Sequence, residues 1–291
     1  MHKPVLLDEV ISFLNIQKDK IYVDCTLGFA GHSLEILKKL DGTGILIGIE
    51  KDKDTLEFAK ENLKDFSNIK LFNSNFLDLK NILKSLNIEK ITGGVLLDLG
   101  INSYQLSDSK RGFSFNSNGP LDMRMDTTQK LDAEYVVNKY SERELSDLIF
   151  NYGEERYSRA IARRIIYERT RNGPIKTTEA LAKIIYQCYP KSRTLKISPA
   201  TRTFQAIRIE VNQELENLKE FLCFIPELLE VDSRLTVISF HSLEDRIVKN
   251  KFKENETFQI LTKKPITPLR NEILNNKRAR SGKLRVAKKT D

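Results

Sequence analysis

The sequence lacks the features that would assign it to a membrane, an oxidising compartment or a metal site. It has no run of about 18 apolar residues, so we expect no membrane span. Its first residues, MHKPVLLDEVISFL, lack the basic and apolar segments of a secretory signal. Its three cysteines are widely spaced and form no zinc or redox pair, which favours a reducing, cytoplasmic location. The three histidines are scattered and predict no metal site.

Positive charge is concentrated in two stretches of the chain. Residues 263–291 hold ten Lys or Arg against Glu272 and Asp291, which accounts for the whole formal charge of +8. Residues 180–209 hold six cations and no acid. A basic end can be an ordinary solvated tail, but two basic regions far apart in the sequence favour a nucleic-acid partner.

The first hundred residues alternate short apolar runs with amphipathic segments. Four apolar runs predict strands: 21–26, 44–50, 69–75 and 91–100. The amphipathic segments between them predict helices: 33–40, 53–66 and 77–87. Near-continuous apolar strands separated by helices are typical of a parallel sheet covered on both faces. The sequence therefore predicts an α/β fold with a mostly parallel sheet, and the length of 291 residues allows one large domain or two moderate ones.

The alternation stops after the fourth strand. Residues 104–208 contain no convincing strand and are helical in three segments: 133–153, 155–171 and 177–189. The later segments are predicted as a helix at 212–230, a strand at 234–240, a helix at 242–252 with a capping box from Ser242 to Asp245, and an antiparallel edge of 258–264 with 283–289. The simplest organisation is one α/β domain, 1–104 and 209–291, interrupted by an inserted helical domain, 105–208.

A glycine-containing turn, LGFAGHS, follows the first predicted strand. Glycines such as Gly28 and Gly31 permit positive φ and let the backbone approach a ligand, although a tight strand–helix connection also needs them. The second predicted strand ends at Glu50, about twenty residues after the turn, where an acid can accept hydrogen bonds from ribose hydroxyls. Turn and acid together predict a nucleoside cofactor.

The type of cofactor is indicated by what the turn lacks. The turn has no G-x-G-x-x-G spacing, which a pyrophosphate on a helix N-terminus would favour. It contains Phe29, and Asp24 stands just upstream. A cofactor without phosphate that carries an amino-acid group and a sulfonium cation fits better, which describes S-adenosylmethionine.

The fourth predicted strand ends in a cluster of small and polar residues. Asp98 is followed by Gly100, Asn102, Ser103 and Gln105. Such a cluster would face the reactive end of a cofactor held by the first turn, whereas a simple loop cap would explain Asp98 alone. Further along, Arg111 stands beside Phe113 and Phe115, a combination that can stack bases or fill a core.

Seven blocks of the sequence resemble one known family, the bacterial ribosomal RNA small-subunit methyltransferase H family, also called MraW. These blocks run from end to end: HKPVLLDEV (2–10), DCTLGFAGHS (24–33), LLDLGINSYQLSDSKRGFSF (96–115), GPLDMRMD (119–126), RTFQAIRIEVNQEL (202–215), ISFHSLEDRIVK (238–249) and KRARSGKLRVAKK (277–289).

The resemblance implies a cytoplasmic class I methyltransferase with a helical insertion. Such an enzyme transfers a methyl group from S-adenosylmethionine to the exocyclic N4 of a cytidine in the decoding region of 16S rRNA. The motifs carry over the cofactor positions Ala30, Gly31, His32, Glu50, Phe76, Asp98 and Gln105. The sequence departs from the family pattern at four positions: Ala30 replaces a usual glycine, Glu50 an aspartate, Tyr104 a proline and Gly282 an alanine. We expect cofactor binding to survive these changes.

The chemistry of an amino group on cytosine suggests roles for the remaining residues. Asp98 and Asn102 are the candidates to accept hydrogen bonds from the amine and hold it in line with the methyl group. Phe240 and His241 are the candidates to wall the base pocket, because their strand is expected beside the fourth; His241 can also be structural. The cations expected to contact RNA are Lys191, Lys196, Arg202, Arg208, Arg278, Arg280, Lys283 and Arg285, with Arg111 near the base. We expect the inserted domain to take part in RNA recognition.

Two other functions remain open from the residues alone. One is a nucleotide-dependent oxidoreductase on a similar fold, which the missing G-x-G-x-x-G disfavours. The other is a non-catalytic RNA-binding or ribosome-assembly factor with a degenerate cofactor site, given Ala30 and Glu50. The sequence also leaves open the target nucleotide, whether free RNA or the assembled small ribosomal subunit is the substrate, and whether the protein is a homodimer.

Overall fold

The computed structural model describes residues 4–190 and 198–291. Contacts divide the chain into two compact units: Met1–Gly100 with Leu215–Asp291, and Ile101–Glu214. The expected insertion, 105–208, falls a few residues inside the second unit at both ends. No helix among the described residues is long and apolar enough to span a membrane.

The first unit contains a seven-stranded sheet built from described residues. Its strands are β1 Ile21–Asp24, β2 Ile45–Glu50, β3 Ile69–Asn73, β4 Gly94–Asp98, β5 Arg234–Ser239, β6 Phe258–Ile260 and β7 Lys283–Lys289. Their order is β3-β2-β1-β4-β5-β7-β6, and the first five run parallel. β7 pairs antiparallel with both β5 and β6, so the predicted antiparallel edge is present. The predicted α/β fold with a mostly parallel sheet is confirmed.

The helices fall into two groups: some are associated with the sheet of the first unit, and the others form the second unit. Those associated with the sheet are α1 Leu7–Leu14, α2 Gly31–Leu40, α3 Lys53–Asn62, α4 Leu79–Ser85, α11 Glu214–Leu228, α12 Ser242–Glu254 and α13 Arg270–Asn275. Those of the second unit are α5 Ser103–Ser107, α6 Ala133–Lys139, α7 Glu142–Gly153, α8 Ser158–Asn172, α9 Thr178–Tyr186 and α10 Ala200–Asn212. Short 3₁₀ turns cover Phe76–Asp78, Ser109–Arg111 and Lys277–Ser281.

The core of the first unit explains why β4 is almost wholly apolar. Val95 and Leu97 of β4 belong to one buried cluster, with Phe221 of α11. Leu96, between them, belongs to another, with Ile36 of α2. Because successive strand residues point to opposite faces, both faces of the sheet must be covered by helices.

The second unit has its own core, which joins its helices. Leu145 of α7, Ile161 of α8, Leu181 of α9 and Phe204 of α10 lie in one buried cluster. The predicted helix 133–153 is two helices, because Ser141 caps α7 through a capping box with Glu144. The sequence did not predict α10.

One expectation and one alternative interpretation of the C-terminal part of the chain are corrected. The capping box of α12 is formed by His241 and Glu244 rather than by Ser242 and Asp245. The basic end is not a solvated tail along its whole length: Arg285 and Lys289 lie in β7 and are buried.

Candidate active site

The candidate site lies at the carboxyl ends of the parallel strands. β1 has β2 on one side and β4 on the other, so the order of the strands reverses at β1. In open α/β sheets a crevice forms outside the carboxyl ends at such a point. Asp24 ends β1, Glu50 ends β2 and Asp98 ends β4, so the topology brings three acids to this edge.

The turn after β1 gives its two glycines different roles. Gly28 has φ +53°, and a Cβ there would meet nothing closer than the Thr26 carbonyl oxygen at 3.9 Å. Space therefore remains open beside Gly28. A Cβ on Gly31 would lie 2.4 Å from Cγ of Pro4, so Gly31 accommodates the N-terminal segment of the same unit. The prediction that a ligand approaches the backbone fits Gly28 and is not needed to explain Gly31.

Ala30 occupies a conformation that favours glycine. Its φ is +65°, in the left-handed region, and its side chain is buried. The backbone at this position therefore follows the path that the usual glycine would take, although alanine bears a modest strain there.

Glu50, the last residue of β2, forms a hydrogen bond to the turn that follows β1. Its carboxylate accepts hydrogen bonds from the N–H of Gly28 at 2.8 Å and of Asp52 at 2.9 Å. Burial raises the pKa of Glu50 to about 7, against the effect of these two hydrogen bonds.

Asp24 lies beneath the turn and is almost fully buried. It accepts hydrogen bonds from the Ser33 hydroxyl at 2.7 Å and the Thr26 N–H at 3.2 Å. Burial raises its pKa to about 6. The negative charge of Asp24 also raises the pKa values of Glu50 and Asp98, so the three carboxyl groups interact electrostatically.

Asp98 is the most perturbed of the three acids. Its backbone N–H donates to the Thr26 hydroxyl at 2.6 Å, which fixes the end of β4 against the turn. Its Oδ2 lies 3.8 Å from Nδ1 of His32, while its Oδ1 is buried without a hydrogen-bond partner among the described residues. Burial, followed by the charge of Asp24, raises the pKa of Asp98 to about 8, and Arg278 opposes this rise.

His32 links Asp98 to the start of the chain. Its ring is buried, and Nε2 lies 3.0 Å from the backbone oxygen of Val5. The N–H of Leu6 donates to Glu272 at 2.8 Å. This role of the N-terminal segment was not predicted from the sequence, in which the HKPVLLDEV block was its signal.

Phe76 lies on the same edge, in the 3₁₀ turn after β3. The Ser74 N–H donates to the Glu50 carbonyl at 3.1 Å, so this turn follows directly from the pairing of β2 and β3. The Phe76 ring packs edge-on against Phe221 at a centroid distance of 5.2 Å and remains partly exposed. A partly exposed aromatic ring at this edge can contact a purine.

Phe240 and His241 follow β5, which pairs with β4 as predicted. A Cβ on Gly100 would lie 3.6 Å from the Phe240 ring, so this ring adjoins the segment after β4. His241 is the N-cap of α12: Nδ1 accepts the Glu244 N–H at 3.4 Å, and Nε2 lies 3.1 Å from Glu244 Oε1. His241 therefore has a structural role as the cap of α12.

Asn102 and Gln105 belong to the second unit, where they form a reciprocal capping box on α5. The Asn102 side chain accepts the Gln105 N–H at 2.9 Å, and Gln105 accepts the Asn102 N–H at 3.0 Å. The side-chain oxygen of Asn102, which we expected to hold the amine, therefore already accepts a hydrogen bond.

The predicted RNA-contacting cations divide into engaged and exposed side chains. Arg111 is buried and donates to the carbonyls of Arg124 and Met125. Arg208 forms a two-point ion pair with Glu214 at 2.8 Å, and Arg285 pairs with Asp245 at 2.6 Å. These three arginines therefore have structural partners, which does not favour their predicted contact with RNA.

The remaining predicted cations are more accessible. Arg280 is exposed and Arg278 is half-buried. Arg202 is exposed and donates to the carbonyl of Glu154 at 3.1 Å. Lys191 and Lys196 lie outside the described residues.

Known proteins match this chain along almost its whole length. Residues 1–290 match the family model described as the MraW methylase family. A Ribosomal RNA small subunit methyltransferase H from Clostridium botulinum (strain Kyoto / Type A2) is 48% identical, covering 99% of this chain and 98% of that protein. The protein of the same name from Thermosipho africanus is 51% identical, covering 99% and 97%. A solved rRNA methylase from Streptococcus thermophilus is 11% identical at a TM-score of 0.46, covering 100% and 99%.

Proposed function

The chain belongs to the MraW methylase family, and from this premise we propose that it methylates the exocyclic N4 of a cytidine in the decoding region of 16S rRNA. S-adenosylmethionine is the methyl donor, and the fold is that of class I methyltransferases. Methylation of ribosomal RNA is supported by the names of the relatives. The choice of N4 and of the decoding region is our own proposal, together with the cytoplasmic location.

The observation that carries the proposal is the buried, unpartnered Oδ1 of Asp98 within a cluster of three carboxyl groups. An unpaired buried oxygen is costly unless a ligand supplies a partner. Three carboxyl groups with raised pKa values favour a ligand that brings positive charge, because a cation stabilises their ionised forms. A sulfonium-bearing nucleoside fits this requirement, and the open space beside Gly28 leaves room for it.

Three residues of the first unit hold the methyl donor in this proposal. We assign Glu50 to the ribose hydroxyls, Phe76 to the adenine and Gly28 to the close approach of the backbone. When bound, S-adenosylmethionine supplies an activated methyl group on a positively charged sulfur.

Asp98 is also the best candidate to orient the amine of the target base. The lone pair of this amine is delocalised into the ring, so the nitrogen is a poor nucleophile. A group that accepts hydrogen bonds from the amine N–H groups makes the nitrogen more nucleophilic. A carboxyl group with a pKa of about 8 can change protonation state near neutral pH, and its ionised form accepts such a hydrogen bond. Asn102 remains a second candidate, but its oxygen would first have to leave the capping box.

The state of Cys25 supports N4 over C5 of cytosine. Methylation at C5 requires a nucleophilic thiolate. Cys25 follows β1 at this edge and is buried, and burial raises its thiol pKa well above the usual value. The thiol is therefore protonated near neutral pH and unsuited to attack.

The second unit supplies exposed groups suited to RNA. Four aromatic side chains are exposed there: Tyr135, Phe150, Tyr167 and Tyr186. The guanidinium groups of Arg164 and Arg171 lie 5.2 and 5.8 Å from the centroid of the Tyr167 ring. Aromatic rings and arginine planes are the groups on which unstacked bases bind, which supports RNA recognition by this unit.

The test is methyl transfer to small-subunit particles from cells that lack this protein. The wild type should form N4-methylcytidine at one position, identified by chromatography and mass spectrometry of the RNA digest. Asp98→Asn should form none while it remains folded. Formation of 5-methylcytidine, or full activity of the variant, would contradict the proposed chemistry. No incorporation into free RNA or particles would favour a non-catalytic assembly factor.

A further inference from the structure

A second feature of the first unit lies at the antiparallel edge of the sheet, away from the strand ends that form the candidate site. A cavity of about 350 Å³ opens there, lined by Lys249, Phe252, Lys253, Ile260, Thr262, Lys263 and Arg285. These residues come from α12, from β6 and the segment after it, and from β7. Phe252 is buried and Ile260 partly buried, so the floor is apolar, whereas the three lysines are exposed.

The lysines of this cavity carry uncompensated charge. Among residues 4–190 and 198–291, no carboxylate lies within 4.0 Å of the ammonium groups of Lys249, Lys253 or Lys263. Lys249 and Lys253 are also separated by one turn of α12, and like charges at this spacing destabilise a helix. The fold bears this cost without a compensating ion pair.

Nearby acids on α12 are engaged with other groups. Asp245 lies 2.6 Å from Arg285 and 3.6 Å from Lys283. Glu254 pairs with Lys251 at 3.1 Å. Because Asp245 neutralises the one arginine of the cavity, the three lysines set its charge at about +3.

We propose that Lys249, Lys253 and Lys263 form a docking site for the phosphate backbone of the RNA substrate, outside the pocket that takes the target base. The partner is an RNA strand because three exposed ammonium groups around an apolar floor suit successive phosphates with sugars or bases between them. This inference rests on the proposed RNA substrate.

Helix α12 connects the carboxyl edge of the sheet with this cavity. α12 begins at Ser242, just after β5 ends at the carboxyl edge of the sheet. At about 1.5 Å per residue, Lys249 and Lys253 lie roughly 10 and 16 Å along the helix from its start. An RNA that fills both places therefore extends beyond the target nucleotide, and its affinity depends on length.

The test compares two triple variants with the same change of charge. K249E/K253E/K263E alters the cavity, whereas K39E/K70E/K84E alters exposed lysines on α2, β3 and α4. None of the three control lysines forms an ion pair among the described residues. RNA affinity is measured by titration at several salt concentrations, cofactor affinity by calorimetry and folding by circular dichroism.

The cavity variant should bind RNA roughly tenfold to a hundredfold more weakly at about 0.1 M salt, with a salt slope lower by about 2, since each lost phosphate contact on a single strand removes about 0.7. Its KM for RNA should rise while kcat and cofactor affinity stay unchanged, and K249R/K253R/K263R should behave like the wild type. An equal loss in the two triple variants would show a net-charge effect and overturn the site.

Two further outcomes also overturn the proposal. One is unchanged RNA affinity in the cavity variant. The other is binding of inorganic phosphate or AMP by the wild type that the cavity variant loses while its RNA affinity stays unchanged. That result would indicate a site for small anions. If the wild type transfers no methyl group, the proposed function fails, but the RNA titrations still decide the docking site.

Discussion

At the scale of single residues, the proposed cofactor pocket and methyl transfer depend on Asp98. Its folded-state pKa of about 8 lies far above the ordinary value of an aspartate, so the fold favours the protonated form. The stabilising contribution of this proton is fully present below about pH 4 and is lost as the pH rises through about 8.

Asp98→Asn should therefore stabilise the ligand-free protein at higher pH while it abolishes methyl transfer. The stability gain should grow between about pH 4 and pH 8 and then level off, at about 1–3 kcal/mol after allowance for the partial exposure of the side chain. Urea unfolding at several pH values measures it. The exposed Asp65→Asn is the control, and a destabilised Asp98→Asn at pH 8 would refute the assigned environment.

The two glycines of the turn after β1 should respond differently to alanine. Gly28→Ala strains a positive φ and should cost about 1 kcal/mol, and its methyl group enters the open space and should weaken cofactor binding at least tenfold. Gly31→Ala should act through Pro4, whose Cγ lies 2.4 Å from the new Cβ.

The Gly31 prediction is tested by a double-mutant cycle with Pro4→Ala. Thermal unfolding of the four proteins should show that Pro4→Ala relieves most of the loss caused by Gly31→Ala, with a coupling of about 1 kcal/mol or more. Strictly additive losses would mean that Gly31 does not hold the N-terminal segment in place.

At the scale of helices and strands, the ion pair of Asp245 with Arg285 ties α12 to β7. Both side chains are largely buried. Asp245→Ala should cost about 3–5 kcal/mol because it leaves a buried guanidinium unpaired. Arg285→Met should cost less, since Lys283 remains 3.6 Å from Asp245. Chemical denaturation gives both values.

Arg285→Met also tests whether Arg285 contacts RNA. Arg285→Met should leave the salt slope of RNA binding unchanged, because its guanidinium is already bound to Asp245. A slope reduced by about 0.7, equivalent to one phosphate contact on a single strand, would support the sequence-based prediction that Arg285 contacts RNA.

Several elements could be predicted from the sequence because their patterns are local. The apolar runs of β1, β2 and β4 are typical of strands covered on both faces, and Asp98 could be placed at a strand end. Helix α10 was missed because Thr, Ile and Val have low helix propensity, and its helical form depends on burial of Phe204 and Ile207 in the core. The cap at His241 was missed because histidine is not a common N-cap residue.

At the scale of the whole molecule, the candidate site depends on contacts between distant parts of the chain. The backbone oxygen of Val5 approaches His32, and the N–H of Leu6 reaches Glu272, a separation of 266 residues. A Cβ on Gly282 would lie 2.9 Å from Val5. No local pattern could predict these contacts, since each depends on the completed sheet of the first unit.

The folded structure also shows which of the basic residues are exposed and which are buried. The basic end predicted a polyanion partner, but its residues contribute both to β7 and to exposed positions such as Arg280 and Lys263. Charge counted along the sequence therefore does not separate engaged cations from exposed ones, and it did not single out Lys249 and Lys253 of α12.

The central claim is that Asp24, Glu50 and Asp98 form one acidic pocket for a sulfonium cofactor. The most direct test is calorimetry with S-adenosylmethionine and with S-adenosylhomocysteine, which lacks the sulfonium charge, in buffers of different ionisation enthalpy between pH 6 and pH 8.5. Binding of the cation should release protons from the carboxyl groups, and its affinity should rise through this range, more for S-adenosylmethionine than for its neutral-sulfur analogue. Asp98→Asn should remove most of that difference. Equal proton release and equal pH dependence for the two ligands in the wild type would contradict the account.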